Sequence, residues 1–104
     1  MNTVKLIVNT NNHKYPIIIG SGLINKLSKI LENNGVRFQK CLLIIDNKIP
    51  ENLIKKILSS FSKKKKFIYY FNASETNKSQ SSIDKILKIL LEKNFHRNDC
   101  LISI

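Results

Sequence analysis

The sequence predicts an α/β fold: a Rossmann-like, mainly parallel sheet with an N-terminal β-hairpin and helices on both faces. Extended, β-branched segments alternate along the chain with segments whose apolar residues recur at helical spacing. Strands that alternate with helices form parallel sheets, because each connecting helix must cross one face of the sheet. One extended segment, 40–46, is apolar almost throughout and ends in an acid, which is typical of a strand covered on both faces.

The first twenty residues predict the hairpin. Residues 3–8 alternate and are β-branched, residues 9–14 are polar, and residues 15–19 form a second extended run. Gly20-Ser21-Gly22 then interrupts the strand. The hairpin is therefore expected to precede the parallel sheet.

Three helices and three further strands are expected after the hairpin. The strands are predicted at 40–46, 66–71 and 100–104, and the first helix at about 23–34, where Asn33-Asn34-Gly35 supplies a stop signal. Pro50 is placed to open the second helix, and Ser81 with Asp84 matches a capping box for the third. The predicted buried faces of these two helices comprise Leu53, Ile54, Ile57, Leu58 and Phe61, and Ile83, Ile86, Leu87, Leu90 and Leu91.

Length and composition favour one compact domain. The chain has 104 residues, 42% of them hydrophobic, and its apolar runs fall far short of the roughly 20 residues that span a bilayer. Residues 1–8 do not resemble an export signal. A cytoplasmic protein without a membrane span is expected.

The net charge of +11 raises the alternative of a nucleic-acid-binding module. Lysine supplies nearly all of this charge and is spread along the whole chain, whereas arginine, which reads bases and clamps phosphates, occurs only at Arg37 and Arg97. The run Lys63 to Lys66 is expected to be a solvated turn between a helix and a strand. The charge therefore favours compositional bias over specific nucleic-acid binding.

Cysteine and histidine usage gives no sign of a metal or redox site. Cys41 and Cys100 each lie among apolar residues without ligand spacing, so both are expected to be buried thiols, and a disulfide would require their strands to be neighbours. His13 and His96 are expected to be surface residues in turns.

Two polar loops are expected at the carboxyl edge of the parallel strands, where ligands of such sheets bind. Asp46 ends a strand, so its carboxylate is either a ribose acceptor or a cap for the helix that begins near Pro50. In the loop 73–79, Glu75 could accept from ribose and Lys78 could meet a phosphate. Physical reasoning alone favours a solvated loop there, with Ser79 or Ser81 capping the next helix.

Four motifs in order resemble the 3-dehydroquinate synthases of the shikimate pathway. Tyr15 to Leu23 is similar to that family's early strand and turn, Leu43 to Asn47 to its nucleotide-side strand end, and Ala73 to Ser79 to its Gly-Glu-x-x-Lys-[Ser/Asn] loop. Leu90 to Ile104 resembles the helix and strand that lead into a Gly-Gly-Gly phosphate-binding loop. One departure is Ser74, which stands where the family usually has glycine.

The resemblance implies an N-terminal NAD-binding domain over residues 1–104, incomplete and without the C-terminal domain that holds metal and substrate. The full-length protein would convert 3-deoxy-D-arabino-heptulosonate 7-phosphate into 3-dehydroquinate and phosphate, with NAD and a divalent metal, zinc or cobalt. It would work as a homodimer, without nucleic acid or membrane partners. The residues that it places at NAD are Asp46, Asn47, Lys48, Ala73, Ser74, Glu75, Thr76, Asn77 and Lys78, and it places no catalytic or metal residue in this chain.

The resemblance also implies how the isolated chain should behave, and two other classes of protein remain as alternatives. A chain that ends on the strand 100–104 is expected to be inactive alone, and its unpaired edge should favour self-association. The rival classes are a fragment of an NAD- and metal-dependent polyol dehydrogenase, which shares the nucleotide-domain layout, and the small basic nucleic-acid-binding module.

Overall fold

A computed structural model describes residues 3–72 and 80–104, and its described part has the predicted α/β architecture. The strands are β1 (Val4–Asn9), β2 (Lys14–Ile19), β3 (Lys40–Asp46), β4 (Lys65–Phe71) and β5 (Cys100–Ser103). The α-helices are α1 (Leu27–Asn33), α2 (Glu51–Ser60) and α3 (Gln80–Glu92), and a one-turn 3₁₀ helix, Leu23–Lys26, precedes α1.

The parallel sheet has the strand order β4-β3-β5, with β3 at its centre. Leu42 of β3 lies beside Phe67 of β4 and Leu101 of β5. The central strand is covered on both faces, since Cys41, Leu42, Leu43 and Ile45 are all fully buried. This burial explains why β3 reads as a continuous apolar run. Strands β1 and β2 form a separate antiparallel pair.

The main core lies between one face of the sheet and helices α1 and α2. Cys41, Leu43 and Ile45 project from that face because side chains alternate along a strand. Helix α2 meets them with Ile54 and Ile57, and Phe61 follows at its end, a spacing that keeps all three on one side of the helix. From α1 and the segment after it, the core also takes Leu27, Leu31 and Phe38.

The opposite face of the sheet is covered near the end of α3. The Phe95 ring, which follows this helix, lies 5.9 Å from the Phe67 ring of β4. Lys40 Nζ, at the start of β3, donates hydrogen bonds to the carbonyl oxygens of Lys93 and Asn94, at 3.0 and 2.6 Å. Leu42 on this face is fully buried although it lies outside the main core cluster. The predicted arrangement of helices on both faces is thereby confirmed.

Two details of α3 differ from the prediction. The helix begins at Gln80, so Ser81 lies inside its first turn, and Asp84 Oδ1 accepts instead from Gln80 Nε2 at 2.9 Å. Its predicted buried face is only partly buried: Ile86 and Leu90 are half-buried, whereas exposed members of that face are Ile83, Leu87 and Leu91. Apolar periodicity marks the face that can be buried, and within the described residues little covers its outer part.

Helices α1 and α3 end in the same way, with a residue in the left-handed region. Gly35 (φ 82°) follows α1, where its N–H donates to Glu32 O and the Val36 N–H donates to Leu31 O. After α3, Asn94 (φ 55°) takes the equivalent position. This pair of hydrogen bonds is the Schellman motif, which stops a helix by satisfying its last carbonyls. The stop predicted at Asn33-Asn34-Gly35 therefore has a structural basis.

Candidate nucleotide-binding edge

Three strand ends are joined at the turn that follows β3. The Asp46 N–H donates to Ile104 O at 3.0 Å, beyond β5, and the Asn47 N–H donates to Phe71 O at 2.9 Å, at the end of β4. The carboxyl ends of all three parallel strands are thus tied together at Asp46 and Asn47. This is the edge of a parallel sheet at which ligands bind.

The Asp46 carboxylate closes its own turn and does not cap α2. Asp46 Oδ1 accepts from the Lys48 N–H at 3.0 Å, and Asp46 O accepts from the Ile49 N–H at 3.1 Å. Helix α2 begins at Glu51, after Pro50, and has no side-chain cap. The helix-cap alternative for Asp46 is therefore wrong, because the carboxylate is used by its own turn, five residues before the helix begins at Glu51.

One oxygen of the Asp46 carboxylate has no hydrogen-bond donor among the described residues. Asp46 is half-buried, and within the described residues its Oδ2 makes no hydrogen bond. The Oδ1 contact fixes the orientation of the carboxylate, so Oδ2 is a preoriented acceptor at the sheet edge. The neighbouring side chains of Asn47 and Lys48 are exposed. An acceptor held in this way suits a vicinal diol such as a ribose.

The second predicted loop lies outside the described residues. Its members are Ala73, Ser74, Glu75, Thr76, Asn77 and Lys78, and their placement at a nucleotide stays a prediction. On either side of these residues, β4 ends at Phe71, at the same edge of the sheet as Asp46, and α3 begins at Gln80.

The described residues contain no group of three or more His, Cys, Asp or Glu side chains that could hold a metal ion. His13 and His96 are exposed, as predicted. In the same ranges, 3–72 and 80–104, no helix is long and apolar enough to span a membrane.

Among the described residues, one cavity lies at the opposite, amino edge of the sheet, and sequence reasoning missed it. Its volume is about 690 Å³. Its lining includes the charged residues Glu32, Arg37, Lys64 and Asp99, together with His96. Both acids are engaged, because Lys64 Nζ lies 3.4 Å from Glu32 Oε1 and the Asp99 carboxylate accepts the His96 N–H at 2.8 Å. These residues come from the end of α1 and from the connections that precede β3, β4 and β5, so no local motif could have indicated the cavity.

The two cysteines are neighbours in the sheet but are free thiols. Cys41 of β3 lies beside Cys100 of β5 in the parallel register, which meets the condition set for a disulfide. Burial raises the pKa of Cys41 to about 11, helped by the proximity of Cys100, and burial also raises the pKa of Cys100. Thiolates are the reactive form, so neither cysteine suits nucleophilic chemistry near neutral pH.

This elevated pKa predicts a loss of stability in alkali that depends on Cys41. The unfolded thiol ionises near pH 9, whereas the folded thiol stays neutral until about pH 11. The stabilisation is therefore complete below pH 9 and is lost as the pH rises to 11, by roughly 2 to 3 kcal/mol. Urea unfolding between pH 8 and 11 should show a steeper decline for the wild type than for Cys41→Val. Parallel declines of the two proteins would contradict the assignment to Cys41.

Sequence comparison finds relatives that match this chain over all or nearly all of its length. The 3-dehydroquinate synthase of Pelagibacter ubique is 52% identical over 104 residues, which cover all of this chain and 28% of that enzyme. The 3-dehydroquinate synthases of Prochlorococcus marinus subsp. pastoris and Blochmanniella floridana are 31% and 32% identical, over 100% and 96% of this chain and 30% and 28% of their own lengths. The chain thus spans under a third of the length of these relatives. No protein-family model matches the sequence.

Solved structures show the same fold. A 2-deoxy-scyllo-inosose synthase, crystallised with carbaglucose-6-phosphate, NAD⁺ and Co²⁺, superposes with a TM-score of 0.79 over 94% of this chain and 26% of that protein. Its sequence identity is 13%, so this likeness concerns the fold. The resemblance that the four motifs predict is confirmed by the curated relatives, and over its whole length this chain is a homologue of part of the 3-dehydroquinate synthases.

Proposed function

We propose that this chain is the N-terminal NAD-binding part of a 3-dehydroquinate synthase. The complete protein would convert 3-deoxy-D-arabino-heptulosonate 7-phosphate into 3-dehydroquinate and phosphate. The observation that carries the proposal is the 52% identity to such an enzyme along all 104 residues. The relatives compared above are synthases of this kind, which does not favour the polyol dehydrogenase alternative.

NAD would lie along the edge formed by the ends of β3 and β4. Asp46 would accept a hydrogen bond from a ribose hydroxyl through Oδ2, because Oδ1 is already engaged by the Lys48 N–H. Asn47, Lys48 and the loop residues Ala73 to Lys78 would complete the adenosine side of the site. NAD, when bound, supplies a reversible hydride acceptor for one carbon of the substrate. The role of this chain is to hold and orient it.

The metal and the substrate are assigned to other parts of the polypeptide. A divalent ion, zinc or cobalt, needs several carboxylate, imidazole or thiolate ligands, and the described residues bring no such set together. The structural neighbour was crystallised with Co²⁺ and a phosphorylated carbasugar, which supports a metal and a sugar phosphate as ligands of the complete protein. We further place that protein in the cytoplasm, as a homodimer without nucleic acid or membrane partners.

The NAD proposal is tested by replacing Asp46. Asp46→Asn should weaken NAD binding by about tenfold or more, since a hydrogen bond to a charged group is worth roughly 1.5 to 3 kcal/mol. Glu51→Gln is the matched control, because it also removes one acid near the start of α2, and Glu51 is exposed. The affinity is measured by titrating NAD into each protein and following chemical-shift changes.

Two outcomes would contradict this proposal. If folded wild type shows no saturable NAD binding up to millimolar cofactor, the chain does not form a nucleotide site by itself. If Asp46→Asn and Glu51→Gln bind NAD with equal affinity, Asp46 does not contact the cofactor.

A further inference from the structure

The parallel sheet brings the two cysteines of the chain side by side. Cys41 of β3 and Cys100 of β5 are Cα partners in the parallel register, although they lie far apart in the sequence. They share one face of the sheet, because Cys41 belongs to the core cluster and Cys100 packs against it. Both are free thiols. No spacing along the chain indicates this pair, since only the sheet brings the two residues together.

The spacing of neighbouring strands suits a metal ion between the two sulfur atoms better than a disulfide. Strands lie about 4.8 Å apart, so the Cβ atoms of in-register partners are separated by about that distance. A disulfide needs Cβ atoms about 3.8 Å apart, so the two strands would have to move closer. A metal–thiolate bond is about 2.3 Å long, and two such bonds in line span about 4.6 Å. The two side chains can therefore reach opposite sides of one ion without a change in the backbone.

Positive charge lies beside this pair of sulfur atoms. Lys66 of β4 is the Cα partner of Cys41 on the other side, so Lys66, Cys41 and Cys100 form one row across the sheet. Burial and then Cys100 raise the pKa of Cys41, whereas the Lys66 and Lys64 ammonium groups oppose this rise. Two thiolates around a monovalent ion carry one negative charge, and a partly buried negative charge needs a positive partner. The neighbouring lysines therefore favour a monovalent ion, because two thiolates around a divalent ion would be neutral.

The number and type of the ligands narrow the identity of the ion. Within the described ranges, no group of three or more His, Cys, Asp or Glu side chains could hold a metal, so a tetrahedral zinc ion lacks ligands here. Thiolates select soft ions, and Cu(I) is the soft monovalent ion of this class. Cu(I) is also satisfied by two thiolates in line. The ion is therefore different from the divalent metal of the complete protein.

We propose that Cys41 and Cys100 bind one Cu(I) ion as a two-coordinate bis-thiolate complex. This site goes beyond the proposed function and does not depend on it. On binding, two Cu–S bonds form, two S–H bonds break, both protons pass to solvent, and no electron is transferred. The metal can displace protons from thiols of high pKa, because a coordinating thiol is deprotonated outright. Cys100 provides the entry, since it is partly exposed and follows Asp99, which lines the cavity at the amino edge.

Anaerobic titration of the chain with Cu(I), in competition with the chromophoric chelator bathocuproine disulfonate, tests the proposal. The wild type should take up one Cu(I) per chain and release two protons per ion, measured with a pH indicator in weak buffer. Cys100→Ala should weaken binding at least about a hundredfold, because two linked ligands gain from a high effective concentration. Lys66→Met should weaken it roughly threefold to tenfold. Lys65→Met is the matched control: it removes the same charge one residue away, on the opposite face of β4, and should bind like the wild type.

Several results would overturn the proposal. Folded wild type that takes up no Cu(I) contradicts it, as does equal affinity of the wild type and Cys100→Ala. Release of only one proton per ion would mean that a single sulfur binds. Formation of an intramolecular disulfide with hydrogen peroxide, seen as the loss of both thiols, would contradict the strand spacing on which the site depends. Cys100→Ser keeps the shape of the side chain, so its loss of binding with an unchanged circular dichroism spectrum would exclude unfolding as the cause.

Discussion

Phe61→Ala is expected to lower the free energy of unfolding by about 4 kcal/mol. Phe61 is fully buried at the end of α2, and its ring lies 6.0 Å from that of Phe38. It is among the largest fully buried side chains, and it packs in the cluster that joins α1, α2 and β3. Replacing the Phe61 ring by a methyl group would leave a cavity between the helices and the sheet. The helices and the sheet cannot easily move together to fill this cavity. Since small domains are stable by about 5 to 15 kcal/mol, much of the stability would be lost.

Urea unfolding followed by circular dichroism measures this loss. Leu91→Ala is the control, since Leu91 is also a large apolar residue of a helix but is 79% exposed. Its truncation should change the unfolding free energy by less than about 0.5 kcal/mol. A Phe61→Ala loss below about 1 kcal/mol would mean that the core cluster does not pack as described.

The elements of the parallel sheet were predictable because they carry strong local signals. The strand 40–46 matches β3 residue for residue, since an apolar run ended by an acid fits a buried central strand. The strand predicted at 66–71 begins one residue earlier, at Lys65, because its backbone pairing with Lys40 does not depend on the polarity of its side chain. Helix α2 buries Ile54 and Ile57, both members of its predicted face.

Other features depended on tertiary structure that no local pattern carries. The helix predicted at about 23–34 is a 3₁₀ turn followed by α1, and Gly22, at φ 71°, starts that turn. The full apolar stripe of α3 suggested more burial than the sheet provides. For Asp46, the sequence left a choice between a ligand contact and a helix cap, and the hydrogen bond from the Lys48 N–H decides against the cap.

The position of the proposed nucleotide site and the identity of its ligand are supported by different observations. The turn after β3 brings three strand ends together, and this geometry supports the proposed place of a nucleotide site. Its chemical identity rests on the relatives, because one oriented carboxylate suits many diols. Glu75 and Lys78 lie outside the described residues, and their roles stay predictions that NAD titration of Glu75→Ala and Lys78→Ala can test.

Lys40→Met is expected to lower the free energy of unfolding at neutral pH by roughly 2 kcal/mol. Lys40 is mostly buried and connects β3 to the end of α3. Its ammonium donates to Lys93 O and Asn94 O, lies 5.5 Å from the Phe95 ring centre, and is 3.9 Å from Asp99 Oδ2. Methionine keeps the apolar stem but leaves two carbonyls at the negative end of the helix without this donor.

Lys88→Met is the matched control for this connection, since the Lys88 side chain is 76% exposed and its ion pair with Glu92, at 4.0 Å, lies on the surface of the same helix. It should change stability by less than about 0.5 kcal/mol, because exposed pairs within one helix contribute little. Equal losses for Lys40→Met and Lys88→Met would show that Lys40 does not hold α3 against the sheet.

The pH dependence of Asp99 tests the same contact independently. The His96 N–H above all, then the Lys40 amide and ammonium, hold the pKa of the Asp99 carboxyl below the ordinary value. A lowered acid pKa stabilises the fold above the ordinary aspartate range, and this contribution is lost as the pH falls. Asp99→Asn should therefore be less stable than the wild type at neutral pH and should show a shallower decline in acid.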